Sequence, residues 1–292
     1  MTKAPPDGSR DRRIEDPTNL WIIHSAARSL LPWAVARGIS ANLVSVAGFV
    51  LGLMAAIAYA RWDDWRFALV GLVLSIGWLI ADGLDGMVAR ATGTASAIGR
   101  VLDGVCDHGV FILIYVVIAG MIGTGEGWAW ALGAGAAHIV QSSLYEGERA
   151  RFHRRIRGLP RAPAAQPAGS AVVRGYEWLT TSIDRFSIGF DALFEDRAIA
   201  PAVAAAYGER AAGPMRLMIL LTANTRVWAI FLACLVGDPR WFWWFELVPL
   251  SIVTCAGVAW HRHVEANLLR AFAGTVAPDS SFSIPSKDIN HP

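Results

Sequence analysis

Apolar positions along the chain gather into six runs, at residues 40–60, 66–89, 100–123, 127–145, 215–236 and 241–260. About twenty such residues are needed for a helix to cross a hydrocarbon core of about 30 Å, so each run predicts a transmembrane helix. Short polar turns, RWDDWR, GTGEG and GDPR, separate neighbouring runs. Ahead of the first run, residues 17–37 carry apolar side chains at helical spacing, interrupted by His24, Arg28 and Arg37. This pattern predicts an amphipathic helix in the membrane interface, with an ordinary soluble helix as the alternative. The expected fold is all-α: a polytopic membrane protein of six transmembrane helices with an N-terminal interfacial amphipathic helix.

Composition agrees, since 54% of the 292 residues are hydrophobic and only 17% charged, outside the balance of a soluble domain. Charge then sets the orientation. Basic residues collect before the first run (RDRR), after the fourth (ERARFHRRIRGLPR) and after the sixth (HRH), and Arg90 and Arg100 bracket the turn between the second and third. The positive-inside rule places all of these in the cytoplasm, and an even number of spans satisfies every cluster at once. The expectation is an integral protein of the cytoplasmic (inner) membrane with both termini inside. Cys106, Cys234 and Cys255 sit in or beside apolar runs without CxxC spacing and read as small core residues. The first nineteen residues lack the apolar core of a secretory signal.

The domain division follows from the runs: a disordered N-terminus at 1–16, the interfacial helix at 17–37, and four spans within 38–147. A cytoplasmic insertion at 148–214 holds the flexible linker GLPRAPAAQPAGS and then one or two helices expected against the membrane face. Two spans within 215–264 and a cytoplasmic tail at 265–292, disordered towards its end, complete the chain.

One stretch breaks the apolar pattern. ADGLDGMVARATGTASAIGRVLDGVCDHGV, residues 81–110, places four acids in and between two spans. At 100° per residue, Asp82, Asp85, Gly86, Ala89 and Arg90 share an arc of roughly 140° on the second predicted span. Gly99, Asp103 and Asp107 recur every fourth residue along one side of the third. Two antiparallel helices can thus aim four carboxylates at one volume. A pair of carboxylates about 5 Å apart repels by about 3 kcal/mol at an effective dielectric of 20. Ionisable groups inside a span mark a pathway or a site, and an all-oxygen cluster is what hard divalent cations prefer. Small Gly86, Ala89 and Gly99 leave room for a ligand beside the acids, although helix packing also favours small residues.

The spacing Asp82-x2-Asp85-Gly86-x2-Ala89-Arg90-x8-Gly99-x3-Asp103-x3-Asp107 resembles the whole signature of the CDP-alcohol phosphotransferase family. The resemblance implies transfer of a substituted phosphoryl group from a CDP-linked alcohol to an acceptor hydroxyl, with release of CMP. It implies that Asp82, Asp85 and Asp103 are metal ligands and that Asp107 completes the metal site and acts as the base. Gly86, Ala89, Arg90 and Gly99 would serve the nucleotide side, Gly99 by keeping the third helix close. Two Mg²⁺ or Mn²⁺ ions are the implied cofactors. The start of the first span, ISANLVSVAGFVLG, is similar to the family's usual opening through Asn42 and Ser45, but Ala41 stands where proline is common. Residues 148–214 have no family counterpart, and pairing of two copies through their spans is a further implication.

The leading expectation is a lipid-synthesis enzyme that transfers a phosphatidyl group from CDP-diacylglycerol to a small polar alcohol, with membrane lipid as its surroundings. Transfer from a CDP-linked amino alcohol to a diglyceride is the alternative within the family. A divalent-cation or proton transporter is the alternative from another class, disfavoured because the acids sit on two helices with no carboxylate deeper to continue a path. A structural protein with a dead site is disfavoured by the intact motif. No nucleic-acid motif accompanies the arginines. Weaker polar signals complete the set. His138, Gln141, Ser142 and Tyr145 recur at helical spacing on the fourth span, and Asn224 and Arg226 interrupt the fifth. These and Asn42 are candidate acceptor or lipid contacts, with helix-to-helix hydrogen bonding as the competing reading. Arg226 either binds a substrate anion, pairs within the bundle or snorkels outward. For the RARFHRRIR run, cytoplasmic anchoring is favoured over binding of headgroups or nucleotide phosphates.

Overall fold

The computed structural model describes residues 11–161 and 187–273, with the backbone alone at residues 97, 98 and 100–105. The first ten residues, residues 162–186 with most of the Ala/Pro linker, and the tail from residue 274, whose end was expected to be disordered, lie outside the described residues. Every described regular element is helical. A π-helical turn, Asn19–Ile23, runs into α1 (His24–Ala36), followed by α2 (Ala41–Tyr59), α3 (Trp65–Thr92), α4 (Ala97–Ile122) and α5 (Gly125–Arg155). Beyond the linker come α6 (Ile188–Asp191), α7 (Ala200–Arg210), α8 (Ala212–Met218), α9 (Ala223–Leu235), α10 (Arg240–Phe245) and α11 (Ser251–Phe272).

The chain is an integral membrane protein by its apolar helices. α2, α3 and the continuous stretch Arg240–Phe272 are each long and apolar enough to cross a bilayer, and α8 with α9 adds a fourth if their 43° bend marks a broken span. The expectation of six spans is therefore met for three helices, or four with the bent pair. α4 contributes only Cys106–Ile122 as a described apolar stretch, and the C-terminal third of α5, EGERARFHRR, is charged. On α2 the division of faces is plain. Leu43, Val46, Val50, Met54 and Ile57 form an exposed apolar stripe, while Val44, Ser45, Gly48, Gly52, Ala55, Ala56 and Tyr59 are buried.

Burial of small residues suits a bundle in lipid, where helices associate by close packing rather than by expulsion of water. A Cβ on Gly52 would overlap the Val110 side chain, and one on Gly71 would come within 2.6 Å of the Tyr59 ring. Glycine at these points lets α2 approach α4 and α3 closely.

The chain divides into two compact units, one from residues 1–149 and 212–258, the other from 150–211 and 259–292. In the first unit α3 stops at Gly93, whose φ of +67° is a left-handed cap, and α4 starts at Ser96, whose hydroxyl accepts from the Gly99 amide at 3.0 Å. So short a connection sets the end of α3 beside the start of α4. Trp78, Phe111, Ile114, Tyr115, Val227, Ile230, Phe242 and Trp243 form the core.

α1 buries Ala27 and Ala34 against Val44, Leu84 and Val88, and leaves Leu30, Trp33 and Val35 exposed, with Trp21 and Ile22 of the preceding turn. Disorder was expected through residue 16, yet Ile14, Glu15 and Asp16 are buried. The last described helix, α11, runs past residue 265, where the tail was expected to begin, as far as Phe272.

In the second unit Phe152, Phe190, Phe194, Tyr207 and Leu268 are buried around Arg155. Its guanidinium donates to Asp191 at 2.8 Å and Glu265 at 2.5 Å, and lies over the Phe190 and Tyr207 rings. Arg154 also donates to Asp191, at 2.8 Å. Two members of the basic run thus pair with carboxylates of the chain itself. The run continues the α5 helix, and acids far along the chain take up its charge.

Candidate active site

Asp82 and Asp85, less than one turn apart on α3, and Asp107 on α4 line a single cavity of about 460 Å³ in the first unit. Helical spacing puts the first two on one face, and the short cap-to-cap turn after Gly93 brings α4 alongside. Asp85 is only 5% exposed and accepts a hydrogen bond from the Ser45 hydroxyl of α2 at 2.5 Å. A buried carboxylate requires such partners to offset lost hydration. The Trp78 indole N–H donates to Asp107 Oδ1 at 3.2 Å, and the same ring meets Phe111 edge-on at 5.3 Å. Trp78 stands four residues before Asp82, and Phe111 four after Asp107. α3 thus supports the carboxylate of α4 through an indole that Phe111 of α4 packs against.

Gly86 and Arg90 also line the cavity. A Cβ on Gly86 would come within 3.3 Å of Arg90 Nη1, so the glycine leaves that guanidinium its place. Ala89 and Gly99 are not among the described lining residues. Ala89 gives its carbonyl to the Thr94 amide at 2.9 Å in the cap of α3, and Gly99 lies in the cap of α4. A Cβ on Gly99 would sit 3.6 Å from Asn42 Oδ1, a close approach of α4 to α2. The Asp103 side chain lies outside the described positions.

The rest of the cavity wall comes from three segments: Ile14 to His24, the stretch of α5 bearing His138, Ser142, Tyr145, Glu146 and Arg149, and Thr222, Asn224 and Arg226. Asp16 accepts from the Thr222 hydroxyl at 2.9 Å, from Asn224 Nδ2 at 3.0 Å and from the Thr18 amide at 2.7 Å. Glu15 lies 3.5 Å from His24 Nε2 and 3.9 Å from Arg149. Sequence reasoning missed this N-terminal wall, because a polar, proline-containing start gives no periodic signal.

Arg226 belongs to a buried network. Its Nε donates to Glu246 Oε1 at 2.8 Å and its Nη2 to Gln141 Oε1 at 2.9 Å. Tyr115 O–H donates to the same Glu246 oxygen at 3.0 Å, and His138 Nδ1 lies 3.4 Å from it. Gln141 Nε2 donates to the Glu246 carbonyl at 2.8 Å. Of the three readings of Arg226, pairing within the bundle is the arrangement found. Glu246 is also the further carboxylate that the sequence reading declared absent. It was detectable as a lone acid in WFWWFELVPL matching a lone arginine in LTANTRVW.

Residues 38–157 match the family described as CDP-alcohol phosphatidyltransferase. The chain carries a CDP-alcohol phosphatidyltransferase domain. That domain runs from α2 through α5 and contains Asp82, Asp85 and Asp107, whereas the cavity walls at 14–24, with Asp16, and at 222–226 fall outside it. The chain is also similar to the archaetidylinositol phosphate synthase of Pyrococcus horikoshii, with 32% identity over 87 residues. This match covers 29% of the chain and 44% of that relative, so less than half of the relative's length is spanned.

Proposed function

We propose that the protein is a phosphotransferase of phospholipid synthesis that moves a phosphatidyl group from CDP-diacylglycerol to the hydroxyl of a small polar alcohol and releases CMP. The observation that carries this reading is that Asp82, Asp85 and Asp107, from two helices, open onto one cavity within the phosphatidyltransferase domain. Carboxylates facing a shared polar space fit hard divalent cations such as Mg²⁺ or Mn²⁺. Asp82, Asp85, Asp103 and Asp107 would hold two such ions, whose chemistry is to neutralise the diphosphate and stabilise departing CMP.

The chain's own groups do the rest. Asp107 takes the proton of the acceptor hydroxyl, a role that needs hydrogen-bond reach, and Trp78 holds its carboxylate in place. Ser45 fixes Asp85. Gly86 and Arg90 serve the nucleotide, with Ala89 and Gly99 keeping their helix ends compact behind them. The relative's name contains an inositol phosphate, which makes phosphorylated and free polyols the first acceptors to compare. The basic clusters support a site and termini on the cytoplasmic side of the inner membrane, with α1 in the interface and two copies paired through their spans.

Acyl-labelled CDP-diacylglycerol, offered with mixed alcohols to the protein in lipid, decides between donors. The expected outcome is label in a new phospholipid with equimolar CMP, abolished by excess chelator. Label entering lipid only from a CDP-linked amino alcohol and diglyceride would select the other donor. Full activity in chelator would remove the metal mechanism.

A further inference from the structure

We propose, resting on the phosphotransferase reading, that the acceptor end of the cavity takes an alcohol bearing no phosphate, a neutral or cationic hydroxyl compound. A phosphomonoester is recognised by cations with donors to spare, above all by the planar fork of arginine. Among the described residues the cavity is lined by three arginines, Arg90 beside Gly86 and Arg149 and Arg226 on the wall taken here as the acceptor end, and carboxylates oppose the last two.

Arg226 is 1% exposed and its charge is met by Glu246, which is fully buried. Three of its nitrogens are engaged: Nε by Glu246, Nη2 by Gln141 and Nη1 by the Leu221 carbonyl. Turning it towards a substrate anion would strand Glu246 as a buried, uncompensated charge, which is strongly unfavourable. Arg149 lies between Glu146 at 3.7 Å and Glu15 at 3.9 Å.

The balance of charge decides the class. Glu15, Asp16 and Glu146 line this end against Arg149, and Arg226 cancels against Glu246, which leaves two negative charges. Protonating both His24 and His138 brings the balance only to zero. Among the described residues of this wall both arginines already face carboxylates, so an incoming phosphate would add to the negative side. A hydroxyl compound meets hydrogen-bonding groups instead, including Asn19, Ser142, Tyr145 and Asn224. The walls at 14–24 and 222–226 lie outside the matched family stretch, whereas Ser142, Tyr145, Glu146 and Arg149 lie within it.

The test uses the full-length protein in lipid and matched acceptor pairs, inositol against inositol phosphate and glycerol against glycerol phosphate, with ethanolamine as the cationic member. The expected kcat/KM for CMP release is at least about tenfold higher for the unphosphorylated member of whichever pair is used. A higher value for a phosphorylated member overturns the proposal. The double variant Glu15→Gln, Glu146→Gln is expected to move the preference towards phosphorylated acceptors several-fold, whereas a purely structural role would depress both members alike. Binding of the radiolabelled pair members, without any donor, separates the two readings. If no alcohol supports CMP release but the unphosphorylated member binds more tightly, the phosphotransferase reading fails and the acceptor class stands. Tighter binding of the phosphorylated member, or no binding of either, overturns the acceptor class.

Discussion

Ser45 and Trp78 each donate one hydrogen bond to a motif carboxylate, and a single substitution can isolate each effect. Trp78→Phe keeps the ring packing against Phe111 and removes only the N–H. A hydrogen bond to a charged group contributes about 1.5–3 kcal/mol, so kcat should fall about tenfold while KM and the unfolding midpoint stay close to unchanged. A loss confined to stability would remove Trp78 from the positioning of Asp107. Arg226 and Glu246 give the complementary case. Arg226→Met leaves a buried acid without its partner and should destabilise the protein by about 3–5 kcal/mol, whereas the double change with Glu246→Leu should recover most of that. Denaturation in detergent measures both. The aspartate motif was legible in the sequence because its spacing is fixed within two consecutive helices. Partners such as Ser45, Trp78 and Glu246 depend on which faces of separate helices meet, and spacing along the chain does not encode that.

Hydropathy locates where apolarity ends, and helices do not always end there. The second run was expected at 66–89 and α3 spans Trp65–Thr92. The fourth was expected to stop at 145, yet α5 continues to Arg155. The helix runs through Gly147 and ends only ahead of Gly158, which takes a φ of +65°. Conversely, the run at 215–236 conceals a break. α8 passes through a 3₁₀ turn, Ile219–Leu221, to an extended Thr222 before α9 begins, with neither glycine nor proline at that point. The Arg226 guanidinium takes up the Leu221 carbonyl, so a tertiary partner compensates for the interrupted helical hydrogen bonding. Close helix contact gives the prediction at this scale. Gly52→Ala should cost about 1–3 kcal/mol by overlap with Val110, and Val110→Ala in the same chain should restore most of it. An unchanged midpoint in the single variant would contradict the close approach of α2 and α4.

For the molecule as a whole, the second unit adds a pH dependence of its own. Burial alone would raise the Asp191 carboxyl, but the Arg155 hydrogen bond and charge, with those of Arg154, hold it below the usual carboxylate range. Stability from its ionised form is complete above the ordinary value of about 3.9 and is lost as pH falls through the lowered folded value. Hydrogen exchange across α6 and α7 should therefore be faster in Asp191→Asn at pH 7, and the two proteins should converge in strong acid. A difference constant with pH would contradict the pairing. The central claim concerns the other unit, where carboxylates from α3 and α4 meet in one cavity. Its most direct test is Mg²⁺-dependent CMP release from CDP-diacylglycerol by the purified protein in lipid, measured beside Asp107→Asn with folding checked by its melting curve. The account predicts release by the unaltered protein and a loss of at least about a thousandfold in the folded variant. Equal release by the two would contradict it.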